Sequence, residues 1–166
     1  SMGHFTEFLS DDPHFPCNIL EEKYVTPCYF YQPSRMIQLF AGDFEKVAKA
    51  CAEATQQTHP LCFQSMGRDV GGATRGNPDK GILYCSYVQD PQNRQECLAG
   101  AVQDSFWDAG GADDALTFCK LLSDPEEKYR CYWTIIWRAK DIYHESPDDL
   151  QDFCDRVDEL YRRECP

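Results

Sequence analysis

The chain has 166 residues, a net charge of −12 and 42% hydrophobic residues, enough to bury the core of one domain. An acidic surface repels phosphate backbones and anionic bilayers, so nucleic acid is excluded as an expected partner. No apolar run approaches the roughly 20 residues of a membrane span, so direct membrane insertion is excluded too. The ten cysteines carry the strongest signal. Cys17, Cys51, Cys85, Cys119 and Cys154 recur every 34 or 35 residues, and so do Cys28, Cys62, Cys97, Cys131 and Cys165. A period of this size marks a repeat array. An even count on a regular spacing marks a disulfide framework, hence an oxidising compartment, extracellular or periplasmic.

The predicted organisation is one domain over residues 1–166 with units at 11–42, 43–77, 78–111, 112–146 and 147–166. Ser1-Met2 reads as a cleavage scar, and the first unit begins without a clear cap. The chain is therefore expected to be the C-terminal part of a longer array. In the first unit, Phe15-Pro16-Cys17 precedes Tyr24-Val25-Thr26-Pro27-Cys28, and Pro33 is expected to kink or end the helix that follows. The second unit opens on Asp43, an N-cap candidate, and runs to Cys51. Its second segment starts at Pro60-Leu61-Cys62, and Gly71-Gly72 with Gly76-Asn77-Pro78 is expected to break it early.

The third unit places Asp79 as a cap before Cys85, then Pro91 in a turn or first helical turn before Cys97. In the fourth, Asp113 is the cap candidate, and Leu116, Cys119 and Leu122 share a face. Pro125 then precedes a stripe of Cys131, Ile135, Ile136, Ala139 and Ile142. The fifth repeats the scheme with Asp148, Leu150, Cys154 and Val157, then Cys165. Gly110-Gly111 punctuates the boundary between the third and fourth units.

Each unit thus reads as a short helix with a cysteine near its end, a tight connector, and a helix with a cysteine near its start. Antiparallel helices lie roughly 8–10 Å apart, which brings such cysteines into the bridging range of about 4.4–6.8 Å. The expected bridges are Cys17–Cys28, Cys51–Cys62, Cys85–Cys97, Cys119–Cys131 and Cys154–Cys165. Structural zinc is not expected, because no C-X2-C pair exists and His4, His14, His59 and His144 follow no cysteine phase. The EF-hand spacing, a Ser-His-Asp order, a phosphate loop and HEXXH are all missing, so neither metal nor cofactor is expected.

A helix-turn-helix unit of this length resembles the tetratricopeptide class, and a bridge inside each unit resembles the Sel1-like repeat proteins. The Trp/Leu-Gly/Tyr pattern of the first is not visible, and the cysteines lie further apart than in the second. The blocks Cys28-Tyr-Phe-Tyr-Gln-Pro-Ser-Arg-Met36 and Cys62-Phe-Gln-Ser-Met-Gly-Arg-Asp69 also look similar to segments of bacterial secreted cysteine-repeat proteins. The resemblance implies an all-α, right-handed superhelical array of about five units with an extended concave surface.

Candidate binding residues follow the second cysteine of each unit. They are Gln32, Arg35, Gln64, Arg68, Asp69, Trp133, Trp137 and Arg138. Equivalent positions of an array form a row, and arginine forks match carboxylates. The alternative is a structural ladder in which Arg35 or Arg68 pairs with Asp69 or Asp104. Trp133 and Trp137 share a helix face at i, i+4 and either pack on the next unit or line a groove. The leading expectation is a scaffold for a protein or peptide partner. An enzyme or accessory module around Arg35, Arg68 and Asp69, and a spacer in a larger envelope protein, are the alternatives.

Overall fold

The structure, a computed structural model, describes residues 10–166. The readings at Ser1-Met2 and His4 lie outside them. All regular structure among the described residues is helical. The α-helices are α1 Glu22–Cys28, α2 Gln32–Leu39, α3 Phe44–Glu53, α4 His59–Ala73, α5 Pro78–Cys85, α6 Pro91–Ser105, α7 Ala112–Leu121, α8 Pro125–Ile142 and α9 Pro147–Asp155. Helix α4 packs between α2 and α6, and α6 packs between α4 and α8. Helices α3, α5 and α7 lie behind this row, each against its successor in the chain, with α5 also on α7. One contiguous apolar core lies between the two layers, with Phe63, Met66, Val70, Val102, Phe106, Phe118, Ile135, Ile136 and Phe153 fully buried.

The bridges join Cys17–Cys28, Cys51–Cys62, Cys85–Cys97, Cys119–Cys131 and Cys154–Cys165, with Cα–Cα distances of 5.6, 5.7, 5.6, 5.5 and 6.0 Å. No cysteine is free. Each bridge closes a loop of about a dozen residues, and loop entropy assigns such a closure roughly 3 kcal/mol. Short helices need this help, because each buries only one face.

Helix starts follow local chemistry, with corrections. The Asp43 carboxylate caps α3 by accepting from the Lys46 amide. Asp79 and Asp148 are not caps. Pro78 and Pro147 occupy the first helical position, which moves the cap two residues upstream to Asn77, whose side chain accepts from the Lys80 amide, and to Ser146, whose side chain makes no such bond. Asp113 lies inside the first turn of α7, where the helix dipole favours a carboxylate. Asp90 and Asp124 cap α6 and α8 just ahead of Pro91 and Pro125.

Two breaks expected from the sequence are placed differently. Pro33 neither kinks nor ends a helix; it lies in the first turn of α2, where its missing N–H is harmless. Cys28 accordingly ends α1 rather than opening a second helix. Helix α4 runs through Gly71-Gly72 to Ala73. A Cβ on Gly71 would sit 2.4 Å from the Ala101 carbonyl oxygen, so this glycine serves the contact with α6. The first and last units depart from helix-turn-helix. Cys17 sits in a 3-10 turn, Cys17–Ile19, and Cys165 follows another, Arg162–Glu164.

Candidate functional site

Helices α4, α6 and α8 meet at a cavity of about 180 Å³. Gln64 comes from α4, Ala99 and Gln103 from α6, and Arg130, Trp133, Thr134, Trp137, Arg138 and Asp141 from α8. The α8 set follows the helical period, so one face of that helix presents all of them. The two indoles sit 5.8 Å apart, and Trp137 is 50% exposed. Each ring already carries a cation. The Arg130 guanidinium lies 5.1 Å over Trp133, and the Lys140 ammonium lies 4.5 Å over Trp137. Arg130 reaches the Glu96 carboxylate only at 3.5 Å, so its charge is loosely held.

Gln64, Trp133, Trp137 and Arg138 are therefore brought together, and Gln32, Arg35, Arg68 and Asp69 are not part of that set. Gln32 is buried and donates to the Pro13 and Phe15 carbonyls at 2.6 and 2.8 Å. Arg35 donates to the Phe15 carbonyl at 3.2 Å and to that of Ser10. Both side chains tie the segment before α1 to α2. Arg68 donates to the Phe30 carbonyl at 3.0 Å and stacks 3.9 Å above the Phe30 ring. Ser65 donates to the same carbonyl at 2.6 Å.

The guanidinium groups thus pair with backbone carbonyls rather than with carboxylates. Arg138 does the same, donating to Phe106 and Trp107 at 3.1 and 3.0 Å. These carbonyls lie at the C-terminal end of α6, where the helix leaves its acceptors unsatisfied. Asp104, the expected ladder partner, pairs instead with Arg75 at 3.3 Å. Asp69 accepts from the Ser34 hydroxyl at 2.9 Å, and burial holds its carboxyl above the ordinary range.

Sequence reasoning singled out Thr134 after Cys131 but missed Arg130 and Asp141. Their signal was present: with Trp133, Thr134 and Trp137 they occupy i, i+3, i+4, i+7 and i+11 on one helix. No cluster of three or more His, Cys, Asp or Glu side chains suited to a metal occurs among the described residues. No helix of these residues is long and apolar enough to cross a membrane. No protein-family model, curated protein or solved structure matches this chain.

Proposed function

We propose that this chain is a superhelical repeat scaffold of the tetratricopeptide or Sel1-like kind that binds a protein or peptide segment in an extracellular or periplasmic space. The observation that carries the reading is the convergence of Gln64, Gln103, Arg130, Trp133, Trp137 and Arg138 from three successive helices of one row. An extended segment laid across the row meets amide groups for its backbone and indole surface for its apolar atoms.

The partner is acidic. Both indole faces already bear a cation, so a positively charged ligand meets repulsion where an anion meets attraction. Arg130, Arg138 and Lys140 bring three cations to this face on a chain of net charge −12, with Asp141, Glu96 and Glu164 nearby. Arg35 and Arg68, on which the enzyme alternative rests, lie outside this convergence and hold the Phe15 and Phe30 carbonyls. Five bridges suit an oxidising compartment.

Selection of displayed random peptides on the oxidised protein tests this. Enrichment of acidic peptides is expected, with affinity falling about tenfold or more on Trp137→Ala, the size of a modest interface anchor. Failure to enrich any peptide, or enrichment that is indifferent to Trp137→Ala, would overturn the reading in favour of a spacer role.

A further inference from the structure

A larger cavity lies away from this groove, on the edge of the molecule where the α3–α4 and α5–α6 connectors meet. Its volume is about 630 Å³, within the range of roughly 300–1,000 Å³ common to small-molecule sites. The floor is apolar: Phe63 and Val88 are buried, and Ala48 and Ala52 line the α3 side. His59, Gln92 and Asn93 stand at the rim.

The space exists because of which residues stand here. One cysteine period later, the position of Ala48 is taken by Ile82, and the positions of His59 and Asn93 by Arg94 and Glu127. Arg94 and Glu127 form an ion pair at 2.5 Å. Their counterparts His59 and Asn93 approach only to 3.5 Å, the outer limit of a hydrogen bond. A small alanine wall and a loose polar contact therefore stand where the next seam has a larger aliphatic side chain and a tight pair.

The charged groups at the rim, Lys49 and Asp90, already have partners. Lys49 is paired with Glu45 at 3.1 Å, and the Asp90 carboxylate accepts the Asn93 amide at 2.9 Å as the cap of α6. His59 Nε2 lies 3.0 Å from the Ala54 carbonyl oxygen, which can only accept, so Nε2 carries the proton. In the neutral ring, Nδ1 is then an acceptor, held only by the long contact to Asn93.

We infer that this cavity is a second binding site, separate from the Trp133/Trp137 groove, for a small neutral molecule with a flat apolar body and one N–H or O–H donor directed at His59 Nδ1. The body packs on Phe63, Val88 and the alanine wall. The donor replaces the loose Asn93 contact, freeing the Asn93 side-chain Nδ2 to bond the ligand or water.

Indole is the probe, because it has the apolar ring and the single donor. Saturation-transfer NMR on the oxidised protein is expected to show saturable indole binding, with indole-3-acetate and tryptamine weaker. Ala52→Leu narrows the cavity at an exposed position and is expected to weaken indole about tenfold or more with the melting temperature unchanged. His59→Phe keeps a ring, removes the acceptor, and is expected to weaken it as well. Trp137→Ala is expected to leave indole binding intact, so this site and the peptide groove fail separately. No saturable binding at millimolar indole, binding indifferent to both cavity variants, or binding lost only with Trp137→Ala would each overturn the inference.

Discussion

Helices α4 and α6 meet backbone to backbone, whereas α6 and α8 meet largely through long side chains. At the first seam a Cβ on Gly67 would lie 2.0 Å from the Cys97 carbonyl oxygen, and one on Gly100 would lie 2.1 Å from that of Gln64. At the second, Arg94 pairs with Glu127, Arg130 reaches Glu96, and Arg138 clamps the end of α6. The glycine seam gains close van der Waals contact and gives up helix propensity, about 1 kcal/mol per glycine. The side-chain seam keeps the helices further apart at their facing residues and leaves room for the indole groove. Two joints between equivalent helices are thus built differently, one closed by glycines and one spanned by long side chains.

The sharpest way to break this comparison is to add one methyl group. Gly67→Ala and Gly100→Ala each force backbone apart along the α4–α6 contact and are expected to destabilise by about 3 kcal/mol or more in urea. Gly72→Ala is the control. Its nearest neighbour is the Asp104 carboxylate at 3.4 Å, and it is exposed. That variant is expected to be neutral or up to about 1 kcal/mol more stable, from helix propensity alone. Equal effects from Gly67→Ala and Gly72→Ala would show that the helices do not touch as described.

A smaller effect compares the two polar contacts one cysteine period apart. Arg94→Ala leaves the Glu127 carboxylate, whose side chain is 10% exposed, without its cation. A loss of about 2–3 kcal/mol is expected, as for a hydrogen bond to a buried charged group. His59→Ala removes a 3.5 Å contact to Asn93, one bond to Ala54 and an edge-on contact with Phe63, so a loss of about 1 kcal/mol is expected. Replacing Arg94 and Glu127 together by leucine is expected to recover most of the first loss. Urea midpoints for the three variants check the ordering. Similar losses from Arg94→Ala and His59→Ala would remove the distinction between the seams.

The same contrast explains what the sequence made legible. Cysteine spacing reported the bridges because a disulfide is a local device here, closing a dozen or so residues. Pro91 and Pro125 marked the starts of α6 and α8 because proline acts on its own turn. Gly71 was misread as a breaker because its reason is the Ala101 carbonyl, which lies in another helix. Arg35 and Arg68 were read toward a ligand or a ladder of carboxylates because their partners are carbonyls, and a carbonyl leaves no mark on composition. Within the site, Trp133 and Trp137 were found by helical spacing. Arg130 belonged to the same stripe but lay before the cysteine, outside the row being followed.

The smallest effect concerns a third seam, where α8 packs against the C-terminal segment. Tyr132 is fully buried and stacks on Tyr161 with ring centroids 4.7 Å apart. Its hydroxyl is buried and has no protein partner among the described residues. Burial, reinforced by the negative charge of Asp158, pushes its pKa up to about 12. The folded state therefore holds the neutral phenol more strongly than the unfolded chain, whose tyrosines titrate near 10. Stability from this group is complete below pH 10 and is lost as pH rises from 10 toward 12. Tyr132→Phe removes both the unpaired hydroxyl and the titration. At pH 7 it is expected to match the parent or exceed it by up to about 1 kcal/mol, since no hydrogen bond is given up. Its advantage is expected to widen between pH 9 and pH 11. Urea unfolding at pH 7, 9 and 11 measures the difference, and a Tyr132→Phe variant that is less stable at pH 7 would mean that the hydroxyl is satisfied after all.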